Sequence, residues 1–165
     1  MDKNILLIGM PGAGKSTVGV VLAKALGLQF ADTDLLIQCK TGRSLQEIID
    51  DRGIEEFLEI EEEVLSSLSL KGYVIATGGS AVLSDKGMNN LKKNSTAVFL
   101  NLPLETIESR IKNITTRGIT MSKNENLGDI FEKRLPLYEM WADITINSNN
   151  LTLEETVEKI IDSLK

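Results

Sequence analysis

Eight consecutive residues, Gly9-Met10-Pro11-Gly12-Ala13-Gly14-Lys15-Ser16, match GxxxxGK[ST] at every fixed position. Glycines at these spacings let successive backbone N–H groups turn inward around an anion. A helix starting directly behind them adds unpaired N–H groups and its dipole. In such a loop Lys15 reaches the β- and γ-phosphates of a nucleoside triphosphate, and the Ser16 hydroxyl serves Mg²⁺. Two carboxylates, Asp32 and Asp34, follow the short apolar step Phe30-Ala31. Placed at the mouth of the loop, one could hold Mg²⁺ through a water while the other takes a proton from an attacking hydroxyl, as phosphoryl transfer to an alcohol requires. The competing use of this pair is a helix start, with Asp34 as N-cap and Asp32 in the turn.

Cations and close backbone approach complete the inventory. Arg110, Arg117 and Arg134 are scattered as surface arginines usually are, yet phosphoryl transfer needs positive charge on the developing phosphate and a closing segment that excludes water. Gly78-Gly79 can bring backbone against a ligand or can form a tight turn. The chain has no histidine, which removes Ser-His-Asp and Cys-His nucleophiles and every His-containing zinc site. The general base is therefore a carboxylate or a lysine. Cys39 is the single cysteine, so no internal disulfide can form, in keeping with a reducing compartment and a buried, inert thiol.

These groups need elements to carry them. Ile5–Ile8 is a continuous apolar run, the pattern of a central parallel strand buried on both faces, and it ends where the loop begins. Ser16 to Leu26 has helical apolar spacing and closes at Gly27. Short runs at Tyr73–Ala76 and Ala97–Leu100 predict buried strands, and Asp143 to Ile146 a further one. Helical stretches are expected from Ser44 to about Asp51, beyond Gly53, from Leu104 to about Ile111, from Leu127 until Pro136 interrupts it, and from Leu153 to Leu164. Nine acids and one base between Glu47 and Glu63 predict a solvated acidic helix face. The polar stretch from Asn113 to Asn126 is a candidate lid. Short strands alternating with helices imply an α/β fold, an open parallel sheet wrapped on both sides.

With 165 residues, 42% hydrophobic and 25% charged, one soluble domain is expected, large enough to bury about two-thirds of its unfolded surface. A formal charge of −6 argues against coating nucleic acid, which needs a basic face. Ile5–Ile8 is far too short to span a bilayer. A cytoplasmic protein with a small-molecule partner, no nucleic acid and no membrane is the expectation.

Together the residues resemble the shikimate kinase family, small nucleoside-monophosphate-kinase-like P-loop enzymes that transfer the γ-phosphate of ATP to the 3-hydroxyl of shikimate. The resemblance rests on Gly9 to Ser16, Asp32-Thr33-Asp34, Gly42-Arg43-Ser44 with Phe57 and Glu61, Ala76-Thr77-Gly78-Gly79, and Arg134-Leu135-Pro136-Leu137-Tyr138 with Ala142-Asp143. It implies a three-layer sandwich on a five-stranded parallel sheet, a substrate-binding helical region at about 33–62, a lid at about 112–126, and a monomer. It implies that Gly12, Ala13, Gly14, Lys15, Ser16 and Thr17 bind ATP with Arg110 and Arg117, and that Ser16 and Asp32 serve Mg²⁺. Asp34 then holds or deprotonates the acceptor, with Lys15 and Arg117 also catalytic, while Gly78, Gly79 and Arg134 bind the acceptor, Arg134 by its carboxylate. Three positions depart from the pattern: Leu58 where the family has a second carboxylate-gripping arginine, Ser80 where it has a third glycine, and Gly118-Ile119-Thr120 where it has Pro-Leu-Leu. These leave open a sibling kinase for a polyol, hydroxy amino acid or sugar acid, a nucleoside-monophosphate kinase, or a regulatory nucleotide-binding module.

Overall fold

Every residue of β1 (Asn4–Ile8) is buried, because it forms the middle of a sheet with helices on both faces. The computed structural model describes residues 3–111 and 118–165. Arg117 and the expected lid from 112 to 117 lie outside them. β1 leads through the glycine loop into α1 (Lys15–Leu26), then β2 (Gln29–Asp32), α2 (Thr33–Thr41), α3 (Leu45–Ser67) and β3 (Tyr73–Ala76). A 3₁₀ turn (Ala81–Leu83), α4 (Asp85–Lys92), β4 (Ser95–Asn101), α5 (Leu104–Arg110), α6 (Leu127–Trp141), β5 (Ile144–Asn147) and α7 (Leu153–Ser163) follow.

The five strands are parallel in the order β2-β3-β1-β4-β5, with Ile5 opposite Val74 on one side and Thr96 on the other. Right-handed crossovers send the β1-to-β2 connection over one face, and the connections leaving β2, β3 and β4 over the other. α1 accordingly packs with α7, while α3, α4 and α6 gather on the opposite side around the 3₁₀ turn. The chain leaving β1 and the chain leaving β3 thus part in opposite directions from adjacent strands. That opens a crevice at the strands' carboxyl ends, where open α/β sheets place ligands. A satellite core of Ile37, Leu45, Ile48, Phe57 and Val64, with Leu58 packed against it, joins α2 to α3.

Several local expectations are corrected. Asp32 ends β2 and is itself the N-cap of α2, its carboxylate accepting from the Asp34 and Leu35 N–H groups; Asp34 lies in the first helical turn. Pro136 does not interrupt α6, which runs on to Trp141. Ile130, Arg134 and Tyr138 are buried at four-residue steps along it, and that burial outweighs the roughly 3 kcal/mol a helix-interior proline costs. Helix α3 is broken at Gly53 (φ 84°, ψ 170°), as the glycine suggested. Of its acids, Glu61 is not on a solvated face but is 1% exposed. Cys39 is exposed rather than buried. β5 starts one residue later than expected, because the Asp143 carboxylate accepts the Ala97 N–H and pairs with Lys92. α4 was not foreseen. No described helix is long and apolar enough to cross a membrane.

Candidate active site

The loop after β1 needs its glycines for stated reasons at two positions. Gly9 has φ 149°, and a Cβ there would meet the Leu100 carbonyl oxygen at 2.9 Å; Gly14 has φ 89° and caps α1 without a side-chain partner for the helix's first N–H groups. The first turn of α1 carries no acid, so its positive end stays uncancelled and open to an anion. Lys15 is 7% exposed and donates to the carbonyls of Gly9 (2.7 Å) and Met10 (2.8 Å), which fixes its ammonium inside the curl of the loop.

Ser16 opens the same helix and donates to Asp32 Oδ2 at 2.6 Å. Asp32 is therefore both the cap of α2 and the partner of Ser16, one oxygen for each task. Among the described residues no group of three or more acidic or cysteine side chains could hold a metal. A divalent ion at Ser16 and Asp32 would complete its shell with phosphate oxygens and water, the arrangement Mg²⁺ prefers.

Asp34 faces the turn after β3. Its Oδ1 lies 2.5 Å from the point a Gly78 Cβ would occupy, so residue 78 must be glycine for Asp34 to stand there. The Gly78 N–H donates to the buried Thr33 hydroxyl at 3.2 Å, which locks this turn to the start of α2. Burial, and then the Asp32 charge, push the Asp34 carboxyl up to about 6 against the pull of Lys15. A carboxylate with that affinity for a proton is suited to accept one from a hydroxyl near neutral pH.

Gly79 abuts the phosphate loop, where a Cβ would fall 2.6 Å from Pro11 Cδ. Its carbonyl receives the Tyr138 hydroxyl at 2.6 Å, and Tyr138 is fully buried and stacked on Phe99 at 5.2 Å. Burial raises the Tyr138 hydroxyl to about 12, so it remains a donor. Arg134, one turn earlier on α6, is 3% exposed; Nη2 donates to the Thr120 carbonyl (2.8 Å) and hydroxyl (3.3 Å), while Nη1 has no hydrogen-bond partner. Glu61 accepts from Ser80 Oγ at 2.7 Å through Oε1, and its Oε2 has no hydrogen-bond partner. Burial, above the other influences, raises Glu61 to about 7.

One cleft of about 510 Å³ brings most of these together; Asp32, Glu61 and Tyr138 stand behind its wall and do not line it. Gly12, Gly14, Lys15, Ser16 and Thr17 line one end of the set and Asp34, Gly78, Gly79 and Arg134 another, with Arg110 beside the loop, its Nη1 3.4 Å from the Gly12 carbonyl oxygen. Ala13 is buried in the loop and borders a second cavity of about 230 Å³. Leu58 does not line the cleft. Sequence reasoning missed Leu45 on the cleft wall and Ser148, Thr152 and Thr156 at the second cavity; Phe57, Ser80, Ile119 and Thr120, which it names only for the family pattern and the lid, also line the cleft. The capping-box pair Thr152 and Glu155 marks the start of α7 but carries no sign of a ligand.

A family model described as shikimate kinase matches residues 11–165. A shikimate kinase of Thermodesulfovibrio yellowstonii is 42% identical over 96% of this chain and 93% of its own length; one of Sulfurihydrogenibium is 36% identical over 99% and 98%. Among solved structures, the shikimate kinase of Acinetobacter baumannii in complex with shikimate superposes with a TM-score of 0.92 at 35% identity, over 99% of this chain and 93% of that one. A sugar kinase from Janibacter shares the fold at a TM-score of 0.63 and 19% identity.

Proposed function

Because the chain belongs to the shikimate kinase family, ATP-dependent phosphotransferases acting on a hydroxyl group, we propose that it phosphorylates the 3-hydroxyl of shikimate with the residues of this cleft. The observation that carries the acceptor reading is the pairing of Asp34, a carboxylate raised toward neutrality, with a buried Arg134 whose Nη1 has no partner, in one cleft with the phosphate loop. Shikimate carries a carboxylate for Arg134 and hydroxyls for Asp34, and a charge-assisted contact of that kind contributes roughly 1.5–3 kcal/mol.

In this reading the loop amides from Gly12 to Thr17 and the Lys15 ammonium hold the ATP phosphates, and Arg110 lies alongside. The second cavity, between Gly14, Thr17 and Arg110 on one side and Thr152 and Thr156 on the other, takes the nucleoside. Ser16 and Asp32 would hold Mg²⁺, which would supply positive charge to neutralise the phosphates. Asp34 orients the acceptor hydroxyl and takes its proton as the oxygen attacks phosphorus; ADP leaves, and Lys15 faces the charge gathering on the transferred group. Gly78 and Gly79 bring the backbone close to the acceptor. Arg117 serves as the lid arginine over the phosphates, and the lid, at about 112–126, keeps water from the reaction.

The protein works as a monomer in the cytoplasm. Leu58 packs against the satellite core, so Arg134 is left as the carboxylate-binding arginine from the described part of the cleft wall. Coupled ADP release tests the proposal: turnover requires ATP, Mg²⁺ and shikimate together, and the absence of shikimate stimulation over a panel of other hydroxy acids and polyols overturns it.

A further inference from the structure

Glu61 and Arg134 present an imbalance. Both are nearly fully buried at the same turn after β3: Glu61 Oε2 lies 3.2 Å from where a Gly78 Cβ would be, and Arg134 is one helical turn from Tyr138, whose hydroxyl binds Gly79. Each keeps one polar atom without a hydrogen-bond partner, an acceptor on Glu61 and a donor on Arg134. They are near enough for the Arg134 charge to pull on the Glu61 carboxyl, yet they form no ion pair. Leaving such atoms unpaired costs each its desolvation, whereas pairing them would satisfy both. Something therefore holds them apart. On the Glu61 side it is the Ser80 hydroxyl on Oε1; on the Arg134 side it is Thr120, which engages Nη2 with both its carbonyl and its hydroxyl, alongside the neighbouring Tyr138 hydroxyl.

We propose that Ser80 and Thr120 are positioning residues that tether Glu61 and Arg134 apart, so that the free edge of the Arg134 guanidinium stays available to the acceptor's carboxylate. A collapsed Glu61–Arg134 pair would be stable without ligand and would have to be broken for the acceptor to bind. The two tethers hold the cleft in its binding-ready state before the acceptor arrives, which lowers the reorganisation that binding requires. Ser80 and Thr120 occupy two of the positions at which this chain departs from its family's pattern, and here they act on the two ends of one interrupted ion pair. The proposal rests on the acceptor reading above.

The experiment pairs kinetics with crystallography on Ser80→Ala, Ser80→Thr and the double variant Ser80→Ala/Glu61→Gln. Ser80→Ala is expected to bring a Glu61 oxygen within about 4 Å of an Arg134 nitrogen and to raise the KM for shikimate about tenfold, with the KM for ATP unchanged. Ser80→Thr, which keeps the hydroxyl, retains the native KM. Adding Glu61→Gln to Ser80→Ala removes the charge that captures Arg134 and returns the KM to that of Glu61→Gln alone; a merely structural defect at Ser80 would persist in the double variant. The tether is overturned if the two side chains stay apart in the Ser80→Ala crystal structure, or if Glu61→Gln fails to rescue. Failure of the unaltered protein to use shikimate would refute the acceptor reading alone, because the crystallographic arm decides the tether for any acceptor.

Discussion

Replacing Asp34 by Asn keeps shape and removes the charge, and it probes two consequences of the same burial. The Asp34 carboxyl is lifted from 3.8 to about 6, burial being the largest cause and the Asp32 charge the next. At pH 7 it is then about nine-tenths ionised, and kcat/KM is expected to fall about tenfold per pH unit below roughly 6. Asp34→Asn should lower turnover by about 10²–10⁴-fold and abolish that acid limb, while ATP binding persists because the phosphate loop is untouched. Stability moves the other way. A raised carboxyl pKa means that the folded chain holds this proton more tightly than the unfolded one, so the unfolding free energy declines as pH rises from about 4 to about 6 and is flat above. The shift of about two units corresponds to roughly 3 kcal/mol, and Asp34→Asn should lack that decline. The variant is thus expected to be inactive yet more stable than the native protein at pH 8, with the two converging near pH 3.5. The checks are urea unfolding at both pH values, coupled ADP release from pH 5 to 8, and nucleotide titration. Turnover of Asp34→Asn within tenfold of native, or a native kcat/KM that stays flat from pH 8 down to 5, would refute the assignment of Asp34 as base.

Glu61, lifted from 4.5 to about 7 chiefly by burial, obeys the same sign: folded-state stability declines from about pH 4.5 to 7, and Glu61→Gln should flatten the slope seen in urea melts across that window. Gly79→Ala would drive a Cβ to 2.6 Å from Pro11 Cδ and 3.1 Å from the Pro11 nitrogen. Because the obstacle includes backbone of the phosphate loop, the variant should lose about 1–3 kcal/mol and bind ATP more weakly; an unchanged Tm together with unchanged ATP binding would show that the loop yields freely.

Much of this architecture is legible in the residues because parallel strands buried on both faces must be apolar throughout: Ile5–Ile8, Tyr73–Ala76 and Ala97–Leu100 stand out unaided. β2 offers only Phe30-Ala31, since it is an edge strand and its other residues are polar. Helix α4 escaped notice because Gly87 and five polar or charged positions hide its pattern; the Ser84 cap and the Met88–Leu91 spacing were the available signals. Glu61 was grouped with its acidic neighbours, although Phe57, Glu61, Val64 and Leu65 share the four-, seven- and eight-residue spacing of one buried stripe. An acid on an apolar stripe is the mark of a buried carboxylate. The phosphate-loop residues could be read one by one because their geometry is local. The contacts of Ser80 and Thr120 could not, because they reach across to α3 and α6, far away in the chain.

The place of β1 in the sheet has a consequence for how the protein is made. Asn4–Ile8 is synthesised before the strands it pairs with, and Ile5 lies between Val74 and Thr96, so the strand that anchors the phosphate loop lacks its full set of partners until both β3 and β4 have left the ribosome. The curl from Gly9 to Ser16 therefore has no rigid stem during early synthesis, and closing the intervening lengths of chain is a slow, non-local step. A nascent chain halted before β4 would expose the apolar edge of β1 with the loop unformed, so nucleotide should protect only chains extended past Asn101 from proteolysis.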